Sequence, residues 1–126
     1  MSYADVEIGL MYFNIGFRAA SSMSELDRIR NGGKANSLLI SDAYRLVRDF
    51  QEYHDGNVVD LKRDEAFYHL VFDEGIGIED IKKTLGTLED AIDGKGVGIN
   101  SLDAVIRFFN NLSERCLNLT HQTPAM

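Results

Sequence analysis

The chain has 126 residues, a net charge of −7, 44% hydrophobic residues and one cysteine. That length makes one domain with a core of its own, and the composition excludes a wholly disordered chain. The lone cysteine excludes a disulfide framework or a multi-cysteine zinc site, and the acidic balance argues against nucleic acid as a partner.

Proline occurs once, at Pro124, so no proline interrupts a helix before the tail. Ser2 and Asp5 read as an N-cap and an acidic third position for a first helix. Val6, Leu10, Phe13 and Phe17 recur on one side of it, and Ile8, Met11, Ile15 and Ala19 fill a second side. A helix apolar on so much of its circumference is buried on two faces or shared with a partner. Gly9, Gly16 and Ala20 form a small-residue strip that admits close backbone approach, so this strip is the candidate self-association surface of a homodimer. Unbroken from Tyr3 to Arg30, the helix would be about 42 Å long. The capping-box pattern Ser22-Met23-Ser24-Glu25 predicts a break or bend there, and Asn31-Gly32-Gly33 ends the segment.

A second helix is expected over 37–54, with Leu39, Ala43, Leu46, Val47 and Phe50 inward and Gly56 as its stop. Residues 60–74 fit either a helix capped by Asp60 or a β-prone run over 66–72. The helix is preferred because Lys62, Arg63, Asp64 and Glu65 suit its first turn, with Gly75 ending it. Two narrow seams follow: Ile78, Ile81, Leu85, Leu88 and Ile92, then Leu102, Val105, Phe109, Leu112, Cys116 and Leu119. The last two helices are expected to pack through these seams, with Asn100 and Asp103 capping the second. Cys116 then reads as a buried, inert thiol. The fold expected is an all-α, single-domain helical bundle of four to six helices over 1–119, its first helix long or bent, with a disordered tail over 120–126.

Gly75-Ile76-Gly77-Ile78 returns as Gly96-Val97-Gly98-Ile99, each time just before a helix, which predicts two similar corners. The segment from Asp93 to Asp103 locally resembles the calcium loop of EF-hand and dockerin modules in its Gly-x-Gly, its Ile-Asn-Ser and its closing Asp103. Keeping Asp103 at position twelve puts Ala91 at position one and Lys95 at position five, and a cation at five opposes calcium. No metal site and no cofactor are expected.

Charge is uneven. From Glu52 to Asp93 there are twelve acids and four bases, and the rest of the chain is nearly balanced. Asp73, Glu74, Glu79 and Asp80 flank one inter-helix corner and form the candidate acidic face for a basic protein partner. A carboxylate–histidine set of Glu52, His54, Glu65 and His69, with Asp64 as a substitute, is the alternative: a small helical enzyme or metal-binding protein. The leading expectation is a non-enzymatic helical interaction module of adaptor, chaperone or immunity/inhibitor type, with no catalytic residues. With no basic n-region near Asp5 and Glu7 and no apolar run long enough to span a bilayer, it is expected in the cytoplasm and off the membrane.

Overall fold

The computed structural model describes residues 3–34, 36–55, 66 and 69–122. Its helices are α1 (Tyr3–Arg30), α2 (Ser37–His54), α3 (Ile78–Ile92) and α4 (Ile99–Gln122), with one π-helical turn at His69–Asp73. Among the described residues there is no strand, and the fold is an all-α bundle.

The seam of α4 is realised in full: Leu102, Val105, Phe109, Leu112, Cys116 and Leu119 are all buried. In α2 the buried row is Ile40, Ala43, Leu46, Val47 and Phe50; Leu39, expected inward, is partly exposed and Ile40 replaces it. Asn36 sets that rotation, because its side chain accepts from the Leu38 and Leu39 amides at 3.1 and 3.4 Å and so fixes where the first turn begins. In α3, Ile81, Leu85 and Leu88 are buried, but Ile92 at the helix end is exposed.

The helices pair differently from the expectation. α1 packs most extensively on α4, and α2 packs on α3 and on α1. α3 and α4 touch least of the four packed pairs, so the last two seams do not face each other; each turns toward an earlier helix. Polar contacts follow the same pairing. Arg18 holds Asp42 through Nε and Nη2 at 3.2 and 3.0 Å, joining α1 to α2. Tyr44 donates to Glu89 at 3.0 Å, joining α2 to α3. Arg30 and Asp103 meet at 2.5 Å, joining α1 to α4.

α1 runs unbroken through Ser22, against the expected bend. The Ser22 hydroxyl is buried and donates to Arg18 O at 2.8 Å, so it bonds back into its own helix instead of capping a new one. Glu25 is likewise turned away from a capping box. Its Oε1 accepts from Arg28 at 2.5 Å and from the Asn36 amide at 2.8 Å, tying the end of α1 to the start of α2. α1 stops at Arg30 as expected, and Gly32 takes the left-handed φ of +94° that ends it.

The two glycine corners match at the helix start but not before it, since the left-handed glycine is Gly75 in the first and Gly94, not Gly96, in the second. Ile81 N bonds to Gly77 O at 3.2 Å and Leu102 N bonds to Gly98 O at 3.0 Å, while Ile76 and Val97 plug the core beside them. α4 therefore starts at Ile99, and Gly98 stands where Asn100 was expected to cap; Asp103 serves the Arg30 ion pair instead of the helix start. α4 also continues past the expected boundary at Leu119, to Gln122, with Thr120 Oγ1 donating to Cys116 O at 2.8 Å. In the ambiguous third segment, Ala66 and His69–Asp73 are helical, and Gly75 at φ +74° ends the turn. The cap at Asp60, the helix start at 62–65 and the stop at Gly56 lie outside the described residues, as do 123–126 of the expected tail.

Candidate functional site

The acidic quartet divides into two pairs. Asp73 Oδ2 lies 2.7 Å from His69 Nδ1, and Glu74 Oε1 lies 3.6 Å from His69 Nε2. Glu74 also receives Arg115 at 3.0 Å on its carboxylate and at 2.6 Å on its carbonyl. Asp73 and Glu74 thus hold the end of the π-helical turn and fasten it to α4. Glu79 and Asp80, in the first turn of α3, are exposed and make no ion pair among the described residues. Their negative charge sits at the positive end of the α3 dipole.

The small-residue strip also divides. A Cβ on Gly16 would meet the Cys116 Cβ at 3.0 Å, so the close approach at Gly16 is already taken by α4 of the same chain. Gly9 and Ala20 are half-buried. The side chains on the far side of α1 are the ones that stand free: Leu10, Phe13 and Phe17 are 63%, 60% and 63% exposed. At 100° per residue they point opposite Tyr12, Ile15, Ala19 and Leu26, which enter the core. The side chain of Val6, expected in the same row, lies outside the described residues. Asn14, Ala20, Ser21 and Ser24 border the row, and none is charged. Side chains of this size bury roughly 200 Å² each, so the row leaves roughly 400 Å² of carbon in water.

The residues of the alternative set are dispersed among structural contacts. His54 Nε2 lies 3.0 Å from Ile76 O; a carbonyl only accepts, so this nitrogen carries the proton. Glu52 pairs with Arg48 at 3.5 Å, and His69 is held by Asp73 and Glu74. Asp64 and Glu65 lie outside the described residues. Among those described, no group of three or more His, Cys, Asp or Glu is placed to hold a metal ion. Cys116 is fully buried, and burial followed by the Glu74 charge pushes its pKa up to about 12.

The loose meeting of α3 and α4 leaves a groove of about 780 Å³ between them. Ile76, Val105, Phe108 and Leu112 supply its apolar surface, and Asn100, Ser101 and Asn111 supply polar groups. Gly86 opens onto it from the middle of α3, and a Cβ there would meet nothing within 4 Å. A mid-helix glycine costs about 1 kcal/mol relative to alanine, and no neighbour among the described residues requires it. Thr84, one half-turn earlier, also lines the groove; it is 3% exposed, and its hydroxyl has no hydrogen-bond partner among the described residues. Sequence reasoning passed over this groove. The available signal was Thr84-Leu85-Gly86-Thr87, small and polar residues in an otherwise strong helix.

No protein-family model, no curated protein and no solved structure matches the chain. Among the described residues no helix is long and apolar enough to cross a membrane.

Proposed function

We propose that this chain is a non-enzymatic helical protein–protein interaction module, of adaptor, chaperone or immunity/inhibitor type. It pairs with a second copy through the outer face of α1 and meets a basic protein at the acidic start of α3. The observation that carries this reading is the row Leu10, Phe13 and Phe17, each at least 60% exposed on a face turned away from the core. A contiguous apolar patch of this size is in the range of the largest patch on a monomer, which is often functional. A second copy is the occupant because the row is uncharged. Two chains of net charge −7 would meet there through three side chains that carry no charge. Gly9 and Ala20, on the flank of the row, let the second helix lie close. Glu79 and Asp80 are the part of the acidic quartet left open to a basic surface. A reducing cytoplasm suits a chain whose one thiol is buried and unpaired.

Sedimentation velocity over a concentration series tests the α1 interface. The native chain is expected to form a dimer, and the double variant Phe13→Ser, Phe17→Ser a folded monomer. A native monomer at several hundred micromolar would refute the pairing. For the acidic corner, binding of poly-lysine at low salt should fall more with Glu79→Lys, Asp80→Lys than with the equal charge change Asp55→Lys, Asp93→Lys. Equal losses would mean that only net charge matters.

A further inference from the structure

We infer that Asn31-Gly32 is a covalent modification site, where the asparagine converts without an enzyme to aspartate and isoaspartate, and that the cap closing α1 sets the rate. Of all the asparagines in the chain, Asn31 alone is followed by glycine. Glycine brings no Cβ beside its own backbone nitrogen, and it admits the chain conformations that attack by that nitrogen requires. Both residues are exposed, and nothing lies within 4 Å of the place where a Gly32 Cβ would stand. In the reaction the Gly32 amide nitrogen loses its proton to water and attacks Asn31 Cγ. The N–Cγ bond forms, the Cγ–Nδ2 bond breaks, and ammonia leaves with a proton from water, which closes a five-membered succinimide. A water molecule then opens the ring. Cleavage of N–Cγ gives aspartate, and cleavage of the bond from N to the Asn31 backbone carbonyl gives isoaspartate. Nothing is oxidised or reduced, and either product carries one more negative charge than Asn31.

The cap governs when the nitrogen is free. Gly32 N donates to Ile29 O at 3.0 Å and Gly33 N donates to Arg28 O at 2.9 Å, the paired bonds of a Schellman ending, with Gly32 at φ +94°. Asn31 N donates to Asp27 O at 3.1 Å, so the attacked side chain is also carried on hydrogen-bonded backbone. Attack therefore waits until the last turn opens, and a terminal turn opens at less free energy than the whole chain. Arg28 is the positioning residue of this cap. It donates to Glu25 from Nε at 3.2 Å and to Lys34 O from Nη2, so it straddles Asn31 and Gly32. Glu25 in turn accepts from the Asn36 amide at 2.8 Å. The product works against the same cap. A new carboxylate stands at the negative end of the α1 dipole. Isoaspartate also adds one carbon to the backbone, which puts the Gly32–Ile29 and Gly33–Arg28 bonds out of step. The modified chain has a loosened corner between α1 and α2. This site is independent of the outer face of α1 and of the acidic start of α3.

The native chain is incubated at pH 8 and 37 °C and followed by peptide mass spectrometry, with methyltransferase labelling of isoaspartate. The mass gain of about one dalton is expected first on the peptide holding Asn31, together with the isoaspartate label. Conversion in the urea-unfolded chain should be at least fivefold faster than in the native chain. Arg28→Ala should speed native conversion at least threefold with helix content retained, and Arg28→Lys should fall between the two. Should Arg28→Ala lose its helix content, the ratio of native to urea-unfolded rates still decides. Asn31→Gln should abolish the gain on this peptide. The converted fraction, separated by anion exchange, should unfold at a lower denaturant midpoint than the unconverted one. A first gain at another asparagine, a native chain that stays unchanged while the unfolded chain converts fully, equal native and unfolded rates, or a folded Arg28→Ala that converts at the native rate would each overturn the assignment.

Discussion

A Cβ built on Gly16 would lie 3.0 Å from the Cβ of Cys116, and 3.7 Å from the carbonyl oxygen of Ser113. The nearest atom in the way is the first carbon of a side chain on a rigid helix, not the end of a flexible one. Gly16→Leu should therefore force α1 off α4 and destabilise the fold by about 1–3 kcal/mol, the usual cost of overpacking. Chemical denaturation measures it directly. A wild-type midpoint for this variant would show that α1 and α4 separate there at no cost.

The thiol on the other side of that contact gives a second expectation. Cys116 has its pKa pushed up to about 12, by burial first and by the Glu74 charge second. The native thiol should resist iodoacetamide at pH 8 and react fully in urea. In the unfolded chain the thiol ionises near 9, so from that pH upward the unfolded state loses a proton that the folded state keeps. The contribution of this group is complete below pH 9 and is lost as pH rises toward 12. Cys116→Ala should flatten the alkaline fall in stability, compared at matched denaturant midpoints.

Glu25 gives the opposite limb. Its carboxyl is held below its ordinary 4.5, chiefly by the hydrogen bond from Arg28 and further by the Asn36 amide, with burial working against both. A depressed carboxyl contributes stability that is present above pH 4.5 and lost as pH falls through its folded value. Glu25→Gln should be less stable at pH 7 and should lose less on acidification. Urea melts at steps from pH 7 to pH 3 compare the two slopes, and parallel slopes would remove Glu25 from the acid response.

Gly86 offers a stabilising substitution. Its φ is not left-handed, and a Cβ would meet nothing within 4 Å. Gly86→Ala should raise stability by roughly 0.5–1 kcal/mol, from lost freedom in the unfolded chain. For a domain of this size that is a rise of about 2–6 °C in melting temperature. A lower melting temperature would mean that the glycine has a neighbour on α3 after all.

The sequence was readable where a helix had one apolar stripe and ambiguous where it had two. All six seam residues of α4, from Leu102 to Leu119, could be named from their spacing because the opposite face is polar. In α1 the periodicity gave two apolar faces, and nothing in it says that Ile15 and Ala19 go inward while Phe13 and Phe17 stay out. Which helix meets which was equally closed to inspection. A seam reports that a face is buried, not what buries it, so α4 was matched with its neighbour α3 when its main partner is α1. The acidic quartet was visible as charge, but its division was not. Arg115, which claims Glu74, is 41 residues away in sequence. The groove was hidden for a related reason, since most of its lining on α3 and α4, apart from Val105 and Leu112, lies outside the two seams.

The pairing of α1 with α4 bears on how the chain is made. α1 is translated before α4, the surface it packs against most. At about 5–20 residues per second, translation leaves Tyr12, Ile15, Ala19 and Leu26 without their main cover for several seconds. During that interval α1 has apolar side chains uncovered on both faces at once. Burial of the core-facing side of α1 then waits for α4. A transcript cut short before Ile99 would yield a polypeptide that has its α2–α3 contacts but an uncovered α1.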